Sequence, residues 1–593
     1  MAAGRLRLTT IAAAGALALS LGVPRCATTP LSPAALTLED KVGQLFVVAA
    51  HGRVMNEGSE TYRELSRQVR ENRVGGVCWF LSDVYETAEL NRRLQAEAKI
   101  PLLFSADLEA GAGMRFEDVT YWPWPMAVAA AGDPDLAYRQ GRIEAEEARA
   151  LGINQIYAPV ADVVVDPDNP VINVRSYGED PAEVSRYVAA FVRGVQDGGV
   201  LATAKHFPGH GATRTDSHRS LPVLDVSRDR LEREDLPPFV AAISAGVASV
   251  MVGHLSIPSL DAEPAPPRAG AVRDNPYTKD PSEATQNGTV PASLSRAAVD
   301  GLLRRDLKFS GLVVIDAADM GALTDHFTQG EIAVRAILAG ADQIPKLADT
   351  DAAVSAVREA VRSGRVSRER LDQSVERILA AKARVGAPVP DPAKIFRLVD
   401  SPEHRAVAEE IARRGLTLVR EQPGALPLSR AARVAHVIVA DTLDPKAPDE
   451  LRRELERRLE HPPETFTIDP RSSDADVKSA VEGSSRADVT LVSLFVRFQS
   501  GRARIAAPPL ARPALEEMRR RGSRIVAVAF GSPYVARELP ELPTYVAAYG
   551  SQPVAQVAAA RALFGEAGFS GKLPVTIPGV AAKGVGIAKP AAR

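Results

Sequence analysis

The sequence predicts an α/β chain in two parts, a (β/α)8 TIM-like barrel followed by a smaller three-layer αβα sandwich domain. Three observations predict it. The chain has 593 residues, too many for one ordinary core. From Leu36 to about Gly386, short β-branched runs alternate with longer amphipathic stretches, as parallel strands alternate with crossover helices. A Pro-rich connector, Ala387 to Pro402, then interrupts the alternation, and a second series of strand-like runs follows it.

Eight runs make up the first series: Gln44 to Ala50, Val74 to Phe80, Pro101 to Asp107, Ile153 to Val160, Val200 to His206, Ala248 to His254, Leu312 to Asp316 and Gly340 to Ile344. Helix-like segments such as Asp135 to Leu151 and Pro181 to Asp197 lie between them, so a closed barrel over 36–386 fits better than an open sheet. Barrel chemistry belongs at the C-terminal ends of strands. Several runs end there in polar residues, namely Asp107, Lys205, His206, His254 and Asp316. The stretch Ala262 to Val290, rich in Pro, Ala, Asn and charge, is too long for a routine barrel loop. It reads as an insertion, either plain solvent-exposed chain or a lid that touches substrate.

The second series, Val434 to Ala440, Val489 to Val496, Arg524 to Phe530 and Thr544 to Tyr549, is interleaved with helical stretches such as Pro448 to Leu459 and Pro513 to Arg521. It predicts a doubly wound domain over 403–580. The small-residue, basic tail over 581–593 is expected to be disordered.

Residues 1–27 read as an export signal. Arg5 and Arg7 supply a short basic region, and Ile11 to Val23 is an apolar run too short to span a bilayer. Export would place the protein in the periplasm, the outer envelope or the medium. Cys26 is a candidate for lipidation, the one membrane attachment expected, although Pro24 and Arg25 depart from the small residues of such a signal. The other cysteine, Cys78, sits in an apolar run and reads as a buried thiol; no disulfide framework is expected. A formal net charge of -2 argues against a polyanionic partner such as a nucleic acid.

The densest chemical signal is Lys205-His206-Phe207-Pro208-Gly209-His210-Gly211 followed by Asp216-Ser217-His218. His206 and His210 have the spacing of a helical zinc pair, but Pro208 and Gly209 between them make a continuous helix improbable, so no metal is expected. As a loop at a strand end, the segment instead carries proton-transfer groups: Asp216 and His218 are two apart, and on extended backbone both side chains point the same way. Asp316 ends an apolar run, where a carboxylate is natural at the barrel mouth and costly in the strand interior. A helix cap is its structural alternative, and Asp319 competes for the role of nucleophile; its place before Met320-Gly321-Ala322 sets it further from the barrel axis, which favours Asp316.

Together with Asn169-Pro170-Val171-Ile172-Asn173-Val174-Arg175-Ser176-Tyr177-Gly178-Glu179-Asp180-Pro181, these residues resemble the β-N-acetylglucosaminidase branch of glycoside hydrolase family three. The resemblance extends to Val313–Ala317, Met320-Gly321-Ala322, Gly340-Ala341-Asp342 and Gly531-Ser532-Pro533-Tyr534. It implies retaining hydrolysis of terminal β-linked N-acetylglucosamine, with Asp316 as nucleophile, His218 as general acid/base and Asp216 as its partner. It also implies that Asp107, Arg175, Lys205 and His206 hold the terminal sugar, and that no cofactor is needed. The implied substrates are N-acetylglucosamine-containing saccharides, either cell-wall fragments or chitooligosaccharides. The chain departs from the family where many relatives carry Asp-x-Glu-Gly-Gly-Arg: here the stretch is Asp107-Leu108-Glu109-Ala110-Gly111-Ala112-Gly113-Met114-Arg115. Trp122 and Trp124 follow, suited either to a sugar platform or to the core. Two further readings stay open, a phosphorylase in which phosphate replaces water and a β-glucosidase, the latter disfavoured because that branch lacks the Asp216-Ser217-His218 arrangement.

Overall fold

The computed structural model describes residues 32–52, 55–269, 275–278, 280–442, 447–539 and 542–592. The segment read as an export signal, with Cys26, lies outside them. Eight parallel strands form the first sheet: β1 (Phe46–Ala50), β2 (Gly76–Trp79), β3 (Leu103–Ala106), β4 (Gln155–Ile156), β5 (Leu201–Phe207), β6 (Ser249–Val252), β7 (Leu312–Ile315) and β8 (Ile344–Pro345). They pair in the order β8-β1-β2-β3-β4-β5-β6-β7. A parallel bridge between Val314 and Gln343 brings the two ends of the row together, so the sheet is a nearly closed barrel. Each observed strand falls in or at the end of one of the eight β-branched runs, because a strand covered on both faces must be apolar throughout. Val47, Cys78, Tyr157, Met251 and Val314 plug the interior as one buried cluster. Burial pushes the Cys78 thiol up to about 12, so it behaves as a small apolar side chain. Among the described residues no helix is long and apolar enough to cross a membrane.

The second sheet has six strands: β9 (Thr417–Arg420), β10 (Val434–Ala440), β11 (Glu464–Ile468), β12 (Val489–Phe495), β13 (Ile525–Ala529) and β14 (Thr544–Ala547). Their order is β9-β14-β13-β12-β10-β11, with β9 antiparallel and the rest parallel. Four were legible as apolar runs. The edge strands β9 and β11 were not, since β9 follows a helix with almost no turn between them and β11 is mostly exposed along Glu464–Thr467. One face of the sheet packs in a core that includes Met126, Val160, Val164, Val171, Ile172 and Val174 of the first unit. The opposite face has its own core. The segment Asn169–Pro181 is thus the seat of the sandwich on the barrel, and Glu179 fixes it through paired contacts of 2.7 Å to the Thr576 N–H and hydroxyl.

Two expectations need correction. The connector over 387–402 is not a plain linker: Pro392–Leu398 is helical, started by Pro392 and by an Asp391 side chain that accepts the Ala393 N–H at 2.9 Å, and it buries Ile395. The tail over 581–593 is ordered through Ala592. The Leu573 N–H donates to the Val585 carbonyl, the Ile587 N–H to the Leu418 carbonyl, and Phe569 and Lys589 exchange both of their backbone bonds. Composition pointed to disorder, but these backbone groups find partners, Leu418 of the edge strand β9 among them, and Lys589 adds an ion pair to Glu421 at 2.5 Å.

A chain ending at Val580 loses these four backbone bonds. At roughly 0.5–1.5 kcal/mol net apiece they are worth about 2–6 kcal/mol together, so calorimetry should show the sandwich domain melting several degrees lower. An unchanged transition would show that the tail only rests on the surface.

Candidate active site

The C-terminal ends of the barrel strands open on a cavity of about 210 Å³. Asp107, Arg175, Lys205, His206, His218 and Asp316 all line it, and Asp216 lies directly behind His218. The seven residues singled out from the sequence are therefore in one place, although they come from five separate loops and strand ends.

Two fixed arrays face each other across this space. The first is ionic. The Lys205 ammonium, 2% exposed, contacts Asp107 Oδ1 at 2.7 Å and Glu109 Oε1 at 2.6 Å. Arg175 grips Glu109 with two bonds of 2.7 Å and donates a third, also 2.7 Å, to the Val171 carbonyl. Burial opposes ionisation of Glu109, yet Arg175 and Lys205 outweigh it and hold the carboxyl well below its usual range. Arg115 completes the array at 2.9 Å from Asp107 Oδ2, so the longer loop of this chain brings its arginine back to the strand end. Charges held this way keep their orientation without water, and they suit the hydroxyl groups of a neutral sugar.

The second array pairs an imidazole with a carboxylate, groups that can exchange protons. His218 Nδ1 is 2.7 Å from Asp216 Oδ1, and Asp216 is 1% exposed. Burial works against the Asp216 carboxylate, but His218 and the Gly501 N–H bring its pKa below the usual value, so it is an anion at neutral pH. Nδ1 faces Asp216, which leaves His218 Nε2 for the cavity. Asp316 follows β7, and its Oδ1 accepts the Ala317 N–H at 2.8 Å. Burial raises its pKa, but the His206, His254 and His218 rings and the Ala317 N–H carry it far below the usual range. Asp319, by contrast, does not line the cavity; it turns to Lys346 at 3.3 Å, and burial raises its pKa.

Backbone contacts hold the loop after β5 against its neighbours. Gly211 passes so close to the next segment that a Cβ there would lie 1.6 Å from the Val163 carbonyl oxygen, which demands glycine. The Gly321 N–H donates to the His218 carbonyl at 2.9 Å and the Ala322 N–H to that of Ser217 at 3.1 Å. Met320-Gly321-Ala322 therefore ties the histidine loop to the strand end that carries Asp316.

Several residues of the site were not singled out from the sequence. Asp162, fully buried, accepts the His206 ring nitrogen Nδ1 at 2.7 Å and the His210 N–H at 2.7 Å, and so orients both. Glu109 anchors the ionic array. Tyr277, from the 262–290 insertion, packs its ring edge-on against His218 with centroids 5.0 Å apart, so the insertion touches the cavity as a lid would. Phe498 and Ser500 reach the cavity from the sandwich domain, and the Arg175 guanidinium lies 4.8 Å from the Phe498 ring centre. Trp122 is fully buried core, whereas Trp124 meets the far edge of Phe498 at 6.4 Å. His210 is held by Thr213 at 2.6 Å on Nδ1 and Ser217 at 3.0 Å on Nε2. Among the described residues there is no cluster of three groups suited to a metal ion.

Comparison with known proteins adds a second line of observation. Residues 37–381 match the model of the glycosyl hydrolase family 3 N terminal domain. The chain is 31% identical over 554 residues to a β-N-acetylglucosaminidase/β-glucosidase of Cellulomonas fimi, covering 91% of this chain and 93% of that one. A solved family 3 β-N-acetylglucosaminidase of a Paenibacillus species superimposes with a TM-score of 0.79 at 33% identity, covering 91% of this chain and 99% of the other. A β-glucoside phosphorylase bound to 2FGlc gives 0.78 at 28% identity, with 92% and 95% covered.

Replacing Glu109 with Gln leaves Lys205 and Arg175 sharing one fewer buried carboxylate. Breaking a buried pair costs about 3–5 kcal/mol, so Glu109→Gln should lower the melting temperature markedly and raise KM. An unchanged melt and KM would mean that the ionic array neither stabilises the barrel mouth nor shapes the sugar site.

Proposed function

Because the chain belongs to glycosyl hydrolase family 3 and is a glycosidase, we propose that its barrel cavity releases terminal, non-reducing β-linked N-acetylglucosamine by double displacement. The observation that carries this reading is that Asp316 and His218 open on one cavity, with the Asp216 carboxylate 2.7 Å from the far nitrogen of the His218 ring.

In the first step an Asp316 oxygen attacks the anomeric carbon while the protonated Nε2 of His218 gives its proton to the glycosidic oxygen. The bond from carbon to leaving oxygen breaks, and the sugar remains as an ester on Asp316. In the second step the now neutral Nε2 takes a proton from water, whose oxygen displaces Asp316 and restores the configuration. Asp216 keeps Nδ1 protonated in both steps and supports the imidazolium form. The ionic array of Asp107, Glu109, Lys205 and Arg175, with His206, holds the hydroxyls of the sugar in the pocket.

Two substrate questions follow from the relatives. The Cellulomonas fimi protein bears both glycosidase names, and the phosphorylase of similar structure makes phosphate a second acceptor to consider. Hydrolysis is the reading favoured for this chain. The basic and apolar N-terminal residues support an exported protein, and with it substrates outside the cytoplasm: N-acetylglucosamine-capped cell-wall fragments or chitooligosaccharides. Cys26 is the residue to examine for lipid attachment.

Product analysis on defined N-acetylglucosaminides and a plain glucoside tests the reading. With and without phosphate, free N-acetylglucosamine should be the product; a sugar 1-phosphate would make the enzyme a phosphorylase. Asp316→Asn should fold normally and lose more than about a thousandfold in kcat, because the amide keeps the shape and loses nucleophilicity. Near-normal turnover by that variant would move the nucleophile elsewhere. His218→Ala should slow an unactivated disaccharide by about 10²–10⁴-fold and glycosylation from an activated aryl glycoside far less, since a good leaving group needs little protonation. Equal losses on both substrates would make His218 a binding or structural residue.

A further inference from the structure

The sandwich domain reaches into the proton-transfer pair by its backbone. Asp216 spends Oδ1 on the His218 ring, and its other oxygen, Oδ2, accepts the Gly501 N–H at 2.7 Å. The Gly501 carbonyl accepts from Arg219 Nη1 at 3.0 Å. Both peptide groups of Gly501 are thus taken by residues that flank His218, one on each side. Arg219 is itself held by Glu283 of the insertion, with Nε 2.9 Å from Oε2. Three residues earlier, the Phe498 ring lies against the Arg175 guanidinium, so the segment is anchored to the sugar-binding array as well.

Glycine is required at this point. Gly501 has φ +81°, and a Cβ added there would stand 2.9 Å from a ring carbon of Tyr277, the residue packed on His218. Gly501 itself does not line the cavity, so it has no direct contact with substrate to explain its placement. A hydrogen bond to an ionised, buried carboxylate is among the stronger kinds, and it fixes direction as well as energy.

We propose that Gly501, on the segment Phe498–Gly501 of the sandwich domain, is a positioning residue for the Asp216–His218 pair. By occupying Oδ2 it sets the rotation of the Asp216 carboxylate, and through Oδ1 it aims the His218 ring at the glycosidic oxygen. The second domain thereby completes the general acid/base of a site whose proton-transfer and ionic side chains belong to the barrel. This inference rests on the acid/base reading of His218, and the test keeps the two apart.

The comparison uses the full chain in three variants, on an unactivated N-acetylglucosaminide and on an activated aryl N-acetylglucosaminide. Gly501→Pro removes the N–H and cannot hold the positive φ; Arg219→Gln releases the carbonyl and leaves the N–H in place; His218→Ala is the reference. Thermal melts report folding, and if Gly501→Pro does not fold, Arg219→Gln decides. The expected result is a loss of about tenfold or more in kcat/KM, which reports the glycosylation step, on the unactivated substrate for Gly501→Pro, the worth of one hydrogen bond to a charged group, with kcat/KM on the aryl substrate nearly unaffected. Arg219→Gln should go the same way by a smaller factor. If His218→Ala shows the leaving-group dependence and neither loop variant does, the positioning role is overturned while the acid/base reading stands. If His218→Ala shows none, the acid/base reading fails and this inference goes with it.

Discussion

The structure is organised around the need to neutralise charge at the mouth of the barrel. Lys205, Arg175 and Glu109 sit in a space with almost no access to water, where an isolated ion would cost several kcal/mol, and the half-buried Asp107 borders it. They are tolerable because each cation has a carboxylate within 2.7 Å. That condition fixes the loop after β3, the end of β5 and the Asn169–Pro181 segment relative to one another. The same segment forms the seat for the sandwich domain through Val171, Ile172 and Val174. The lining of the cavity and domain packing therefore share one stretch of backbone, with Arg175 on the cavity and its apolar neighbours in the sandwich core.

The proton-transfer pair obeys a different constraint. In the proposed mechanism it must be firm enough to keep a tautomer and a direction, yet His218 must meet both a leaving oxygen and a water. The structure supplies firmness from behind: Asp216 is buried, the carbonyls of Ser217 and His218 are tied to Ala322 and Gly321, and the side-chain tip is left in the cavity. Asp316 is anchored by its own following N–H, so the two reacting groups, distant in sequence, are held by one backbone network.

Much of this was legible in the sequence because the relevant signals are local. Barrel strands are apolar on both faces and announce themselves as runs, and the polar residue that ends such a run stands at the mouth; Asp107, Lys205, His206 and Asp316 were found that way. Asp162 escaped because it lies two residues past the end of the run Ile153 to Val160, in irregular chain. Tyr277, Phe498 and Gly501 escaped for a stronger reason. Their roles arise only from contacts between segments far apart in the chain, and no pattern within the insertion or the second domain reveals what they will touch. Composition misled at the tail for the same reason: small and basic residues have little to bury, but their backbone groups can still complete another strand.

That tail bears on how the sandwich sheet meets its surroundings. β9 is the outermost strand of the sandwich sheet, and an outermost strand with free N–H and C=O groups is a template on which another chain can add. Residues 582–592 cover part of it, with the Ile587 N–H on the Leu418 carbonyl. Without them the Leu418 carbonyl would be bare on that border. Clipping residues 581–592 would bare that part of the border and favour intermolecular pairing over any direct change in chemistry.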